Sequence, residues 1–385
     1  MGIFEFGLYW DTAAYLFYLA IAGTIAVLCH LGAQQDRRFG IRQDAKRLPC
    51  NGWYLLAIVL FTAVYSLRDI SVGADTVEYC QFFDGILLYQ VNLNEILRLR
   101  ENEPLFYLYA YGIRRLTANH FWFFLPAGLL MAIGYVSFFR RFWDSDTSYL
   151  FILPCCISFQ YDMNIMRSGM STALVLLSYC QLQQERKGRA LLFALMAVLF
   201  HYTAAVHLIF IIFYNILKRF LAAKNALILQ TEFLYYGLLA FGGSVACSIG
   251  LRSFFLTTKY QSYLSSGGSL FGYWYILLSA LLAIFVLLTD FRKRRVFLSA
   301  VTAIYCLMLL PPSIFLGAYR ITQYYLVPRL FLWGYAAKRL LNDSIENRYL
   351  KSLLCIFAIL LYTLFVMSRR SASPGFRYLL SIVGS

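Results

Sequence analysis

Long apolar runs alternate with short polar breaks along the whole chain. The breaks fall at 32–50, 140–148, 184–189, 218–231, 291–296 and 338–351. Between them the pattern predicts helices at roughly 12–31, 51–67, 121–139, 149–162, 168–183, 190–201, 203–217, 232–250, 273–290, 297–312, 321–337 and 352–368. Most of these come near the ~20 apolar residues that a membrane-crossing helix needs. The pattern therefore predicts an all-α polytopic integral membrane protein with about twelve transmembrane helices, a single transmembrane domain over residues 1–385. The longest segment outside the spans, 68–120, reads as a large outer loop.

Two segments test this count. Residues 104–118 follow Glu103-Pro104 and are apolar, but the segment is short and carries Arg114-Arg115. Phe106, Tyr109, Ile113 and Leu116 approximate a helical stripe, which predicts an amphipathic helix lying on the outer surface. The second segment, 190–217, holds 28 residues without a formal charge. As one helix it would reach about 42 Å, well past a hydrocarbon core of about 30 Å. A break at His201 divides it into two short helices that meet near the outer face and keeps Lys218, Arg219 and Lys224 inside. The Pro311-Pro312 pair predicts a helix end, since neither residue offers a backbone donor.

Composition and charge sharpen the picture. Hydrophobic residues make up 61% of the chain and charged residues 14%, too apolar for ordinary soluble domains. A secreted disulfide scaffold, a nucleic-acid-binding domain and a coiled coil are excluded on the same ground. The net charge of +15 is carried largely by the six breaks, which hold 21 of the 34 Lys and Arg and are placed in the cytoplasm by the positive-inside rule. No Lys or Arg occurs in the first 36 residues, so the run from Tyr9 to Leu31 lacks the basic region of a cleaved signal and reads as a retained span. Nine cysteines form no CxxC, and His30, His120, His201 and His207 lack the i, i+4 spacing of a helical metal pair. Neither a metal nor a cofactor is implied.

With the basic breaks inside, the unusual polar residues gather on the other face: Arg68, Asp69, Asp75, Glu78, Asp84 and Glu103 in the large loop, then Asp162, Arg167, His201 and Arg320. Cations that hold phosphate, together with a carboxylate or imidazole that moves a proton, are what chemistry on an anionic lipid-linked substrate needs. Arg167 directly precedes an apolar run, where arginine is costly unless it snorkels, pairs with a neighbour such as Asp162, or grips a diphosphate through its forked donors. His201 lies in the longest uncharged stretch, either as a packing residue or for proton transfer or phosphate contact, whereas His207 reads as structural. Asp75 and Glu78 share a face if their segment is helical, as solvated carboxylates or with one of them deprotonating a sugar hydroxyl. Glu103 suits a helix start, and Arg320 either binds phosphate or flanks its span. Trp274, Tyr319, Tyr324 and Tyr325 read as an interfacial aromatic belt.

Ser66-Leu67-Arg68-Asp69, Gly73-Ala74-Asp75-Thr76-Val77-Glu78-Tyr79, Glu103-Pro104-Leu105-Phe106, Asn164-Ile165-Met166-Arg167 and Leu199-Phe200-His201-Tyr202-Thr203-Ala204, in that order, resemble the EpsG-like branch of the Wzy-type bacterial O-antigen and exopolysaccharide polymerases. The motifs cover roughly residues 50–220. Ser168 stands where the family's usual glutamine follows the arginine, and Tyr202 where a small residue is common. The resemblance implies a GT-C-like helical bundle in the bacterial inner membrane whose active site faces the periplasm. It implies transfer of a growing glycan from undecaprenyl diphosphate onto a new undecaprenyl-diphosphate-linked repeat unit, without nucleotide sugar or metal, and a chain-length regulator as partner. On that reading Arg167, with Arg320 or Arg68, neutralises the leaving diphosphate. Asp75, or else Glu78 or Glu103, activates the acceptor hydroxyl, and His201 positions phosphate or acceptor. The competing readings are a flippase or other transporter for lipid-linked oligosaccharides, an O-antigen ligase and a membrane O-acetyltransferase. One-sided clustering of the polar residues favours an enzyme over a transporter, whose charges spread through the bundle.

Overall fold

Helices form where the apolar runs predict them, and three of the starts have a local cause. The computed structural model describes residues 12–39, 51–70, 72, 75–88, 92–99, 103–142 and 165–223, with 324, 327 and 328 besides. These residues are helical with short connections, and no strand occurs among them. In chain order the helices are α1 (Thr12–Arg38), α2 (Gly52–Ser66), α3 (Thr76–Leu88), α4 (Leu93–Leu99), α5 (Pro104–Leu116), α6 (His120–Phe142), α7 (Met166–Gln183), α8 (Lys187–Phe200), a 3-10 turn at Tyr202–Ala204, and α9 (Ala205–Ala223). Asn51 caps α2 by accepting from the Trp53 amide at 2.9 Å. Asn92 and Glu95 cap α4 reciprocally, each side chain accepting from the other's backbone N–H at 2.9 Å. Pro104 opens α5, where its missing donor costs nothing.

The chain divides into two compact units, residues 1–205 with 345–385 and residues 206–344. In the first, α2 packs against α1 and α6, α6 against α7, and α7 against α8, while α5 packs against α3, α4 and α8. Helix α7 is the centre, buried on every side from Ser168 to Cys180. It meets α6 at close range: a Cβ on Gly134 would stand 2.8 Å from the backbone of Ala173. Helix α8 meets it through small residues, with Ala190, Ala194 and Ala197 fully buried. Ser171 donates to the Ala197 carbonyl at 2.8 Å and Ser178 to the Ala190 carbonyl at 2.7 Å. The two pairs fix an antiparallel register. In the second unit, α9 stacks His207 on Phe210 with ring centres 5.5 Å apart, in keeping with a structural role.

The basic end of the first unit is tied by polar contacts. Arg140 pairs with Asp36 at 2.8 Å, Asn51 donates to the Gly32 carbonyl at 3.0 Å, and Arg141 donates to Gln183 at 2.9 Å. This explains a difference from the hydropathy pattern. The first break is predicted to begin at 32, yet α1 continues to Arg38, because Asp36 is buried and partnered. The opposite end carries Arg68 after α2, His120 at the start of α6, Arg167 in the first turn of α7 and His201 after α8.

Elsewhere structure and pattern also part. Segment 68–120 contains three helices, α3 to α5, rather than one. On α5 the buried residues are Phe106, Tyr107 and Ala110, whereas Leu116, assigned to the apolar stripe, is 84% exposed. The break at His201 is present: its backbone is extended (φ −155°, ψ 112°) between α8 and the 3-10 turn. Among the described residues, His120–Phe142 is the one helix long and apolar enough to cross a membrane unaided, with Gly52–Ser66 and Tyr202–Asn215 apolar but shorter. The predicted spans 149–162, 232–250, 273–290, 297–312 and 352–368 lie outside the described residues, as do most of 321–337, Asp162, Pro311-Pro312 and the aromatics Trp274, Tyr319 and Tyr325.

The close α6–α7 crossing leads to a mutational contrast. Gly134→Val is expected to destabilise by roughly 1–3 kcal/mol through overpacking. Gly188→Ala, where a Cβ meets nothing within 4 Å, is expected to be neutral or slightly stabilising. Thermal melting of the detergent-solubilised variants checks both.

Candidate active site

Glu103 occupies the N-cap position of α5, yet its side chain makes no capping bond to its own helix. Its carboxylate turns instead to a guanidinium and an imidazole from distant parts of the chain. Oε2 accepts from Nη1 of Arg167, and Oε1 contacts Nδ1 of His201. Three elements meet here: the start of α5, the first turn of α7 and the extended residue that ends α8. Arg167 and His201 come together because α7 and α8 run antiparallel in a fixed register, so the first residues of one lie beside the last of the other.

The cluster is largely removed from water. Side-chain exposure is 7% for Glu103, 10% for His201 and 31% for Arg167, so the arginine is its open member. Arg167 also donates to the Tyr107 hydroxyl at 3.2 Å, and its guanidinium lies 5.6 Å from the centre of the Tyr79 ring and 5.8 Å from that of Phe106. Burial pushes the Glu103 carboxyl up, but the hydrogen bond from His201 and the charge of Arg167 outweigh it, holding the group below the ordinary carboxylate range. Burial likewise pushes the Tyr79 hydroxyl up against the pull of Arg167, which keeps it neutral. A half-open guanidinium beside a shielded imidazole suits anion binding coupled to proton transfer.

The other residues singled out from the sequence are placed differently. Asp75 is half-buried just before α3, with its carbonyl accepting from the Tyr79 amide at 3.1 Å, and its charge is felt at the Tyr79 hydroxyl. Glu78 is exposed in the first turn of α3. Arg68 is buried, its guanidinium 4.1 Å from the centre of the Tyr65 ring and 4.6 Å from that of Phe124, an arrangement of cation–π type. Arg320 lies outside the described residues. Glu103, read from the sequence as a helix start or an alternative base, stands between Arg167 and His201.

Sequence reasoning missed Tyr107 and Tyr79. The signal for Tyr107 was its spacing, four residues after a carboxylate at a helix start, which puts both on one face. A second polar group also went unread: Asp84 contacts His120 at 3.1 Å and Arg114 at 3.7 Å, joining α3, α5 and α6. Tyr109 strengthens that junction by donating to the Phe123 carbonyl.

Because the Glu103 carboxyl is held low in the fold, its ion pairs stabilise the protein above the ordinary glutamate pKa of about 4.3 and lose that effect as pH falls below it. Melting temperature is therefore expected to drop between about pH 5 and 3 in the wild type and to drop less steeply in Glu103→Gln, read by thermal melting in detergent. Among known proteins, no curated protein and no solved structure matches the chain. Residues 52–379 match the EpsG family, a stretch that includes every member of the Glu103 cluster. The chain belongs to the EpsG family, and with that membership comes a glycosyltransferase-like, polysaccharide-polymerase role in general.

Proposed function

We propose that the protein is a polysaccharide polymerase of the Wzy type in the bacterial inner membrane, with its active site at the periplasmic face. It joins undecaprenyl-diphosphate-linked repeat units to build O-antigen or exopolysaccharide. The observation that carries this reading is the shared carboxylate, with Arg167 and His201 meeting on Glu103 at the end of the bundle away from Arg140 and Arg141. An anionic leaving group and a proton in transit need such a pair in one place. Arg167, the open member, neutralises the diphosphate as it departs, and a single well-placed donor to a developing anion is worth about 3–4 kcal/mol in a water-poor site.

Membrane embedding is supported by the outward surface of the helices. Trp53, Leu55, Leu56 and Val59 on α2 and Leu191, Leu192, Leu195 and Leu199 on α8 are all exposed, and contiguous apolar surface of this kind belongs against lipid. The arginines at the other end then face the cytoplasm, which puts segment 68–120 in the periplasm. The whole chain forms one membrane domain in this reading, and a chain-length regulator is a partner by family analogy.

The test is a gel ladder of surface polysaccharide from a deletion strain complemented with wild type or Arg167→Ala, with membrane levels of each protein checked. Single repeat units are expected in the deletion strain and a restored ladder with wild type. Arg167→Ala is expected to leave no long chains, a loss of about 10²–10³-fold in rate. Normal chain length in that variant overturns the arginine's role. Lipid-linked units trapped in the cytoplasmic leaflet of the deletion strain replace the polymerase with a flippase, and unattached full-length polymer replaces it with a ligase.

A further inference from the structure

We infer that Glu103 is a positioning residue that fixes His201 as the general base for the acceptor hydroxyl; this rests on the polymerase reading above. The contact is made through Nδ1 of the imidazole. An ionised carboxylate can only accept, so Nδ1 carries the proton and Nε2 of the neutral ring keeps its lone pair. The ring is further confined by the extended backbone of His201, whose amide donates to the Ala197 carbonyl at 2.9 Å, and by Tyr202, whose ring stands edge-on with centres 5.5 Å apart. The remaining imidazole nitrogen is thus preset in both tautomer and direction.

The same carboxylate sets the distance between base and cation. Oε1 holds His201 and Oε2 holds Arg167, so the proton acceptor and the anion ligand stand one carboxylate apart. In the transfer, Nε2 takes the proton of the acceptor sugar hydroxyl as that oxygen bonds to the anomeric carbon of the donor. The bond from that carbon to the diphosphate oxygen breaks, and the electron pair leaves with the polyprenyl diphosphate beside Arg167. The proton on His201 then passes to water, which restores the neutral ring. Asp75, which the sequence offers for the base, borders Tyr79 instead. Among the described residues, the charged or titratable groups around His201 and its carboxylate are, besides Glu103, Arg167, Tyr202, Tyr107, Tyr79 and Asp75.

The experiment uses the full-length protein in nanodiscs with undecaprenyl-diphosphate-linked repeat units extracted from the deletion strain. Initial rates are measured from about pH 5 to 9, the range that spans imidazole titration. Wild-type kcat is expected to rise with pH through an acid limb that His201→Gln lacks. Glu103→Gln is expected to lower kcat by about 10²–10⁴-fold, because its amide favours the wrong tautomer. Its pH–rate profile is expected to differ from that of the wild type. Glu103→Asp is expected to recover part of kcat. A Glu103→Gln enzyme with near-normal kcat and an unmoved acid limb overturns the inference. So does a wild-type profile without an acid limb, a result that holds even if Glu103→Gln fails to accumulate. Failure of the wild type to lengthen the units at any pH overturns the polymerase reading itself.

Discussion

A carboxylate taken out of water has to be matched by positive charge, and around Glu103 that requirement draws three stretches of chain into one place. Removing a single partner from a buried ion pair commonly costs several kcal/mol, because the remaining charge is left without compensation. Glu103 therefore constrains the start of α5, the first turn of α7 and the end of α8 together. It also accounts for the failure of Glu103 to cap its own helix: its oxygens serve Arg167 and His201, and Pro104 relieves α5 of one donor.

What permits this convergence lies well away from it. The α7–α8 hairpin is held by alanines that let two backbones approach and by two serine hydroxyls that bond across to opposing carbonyls. Each contact is modest, of about 1 kcal/mol in net terms, but a misregistered pairing would leave buried hydroxyls unsatisfied. At the basic end, Asp36, Asn51 and Arg140 tie α1, α2 and α6 in a similar way. The first unit thus pairs a polar-pinned base with the Glu103 cluster at its other end, and apolar packing fills the length between.

Much of the local architecture was legible in the sequence, and the reasons are physical. The break at His201 follows from length alone, since 28 uncharged residues outrun a bilayer as a straight helix. The helix after Pro104 follows from the preset backbone of proline, and Arg167 stands out because a cation at the mouth of an apolar run is costly. The partners of these residues were not legible. Glu103 lies 64 residues from Arg167 and 98 from His201, and no local period reports a contact of that range. Arg68 has the same charge as Arg167 and a comparable motif around it, yet Tyr65 and Phe124 enclose it, a fate decided by tertiary packing. Leu116 is exposed while Phe106, at the other end of the same stripe, is buried, a difference that the stripe alone does not report.

The turn that closes the hairpin is short, only Gln184, Glu185 and Arg186 separating α7 from α8, and Glu185 adopts a left-handed backbone (φ 61°). A side chain other than glycine in that conformation costs about 1–2 kcal/mol. The turn consequently has little slack, and it acts as an indexing device for the far end of α8. One residue inserted into α8 would rotate everything beyond it by about 100° and advance it by about 1.5 Å, swinging the imidazole off the carboxylate and toward the leucine-bearing side. The azimuth of His201 is in this sense written at the opposite end of the helix, in the three residues of that turn.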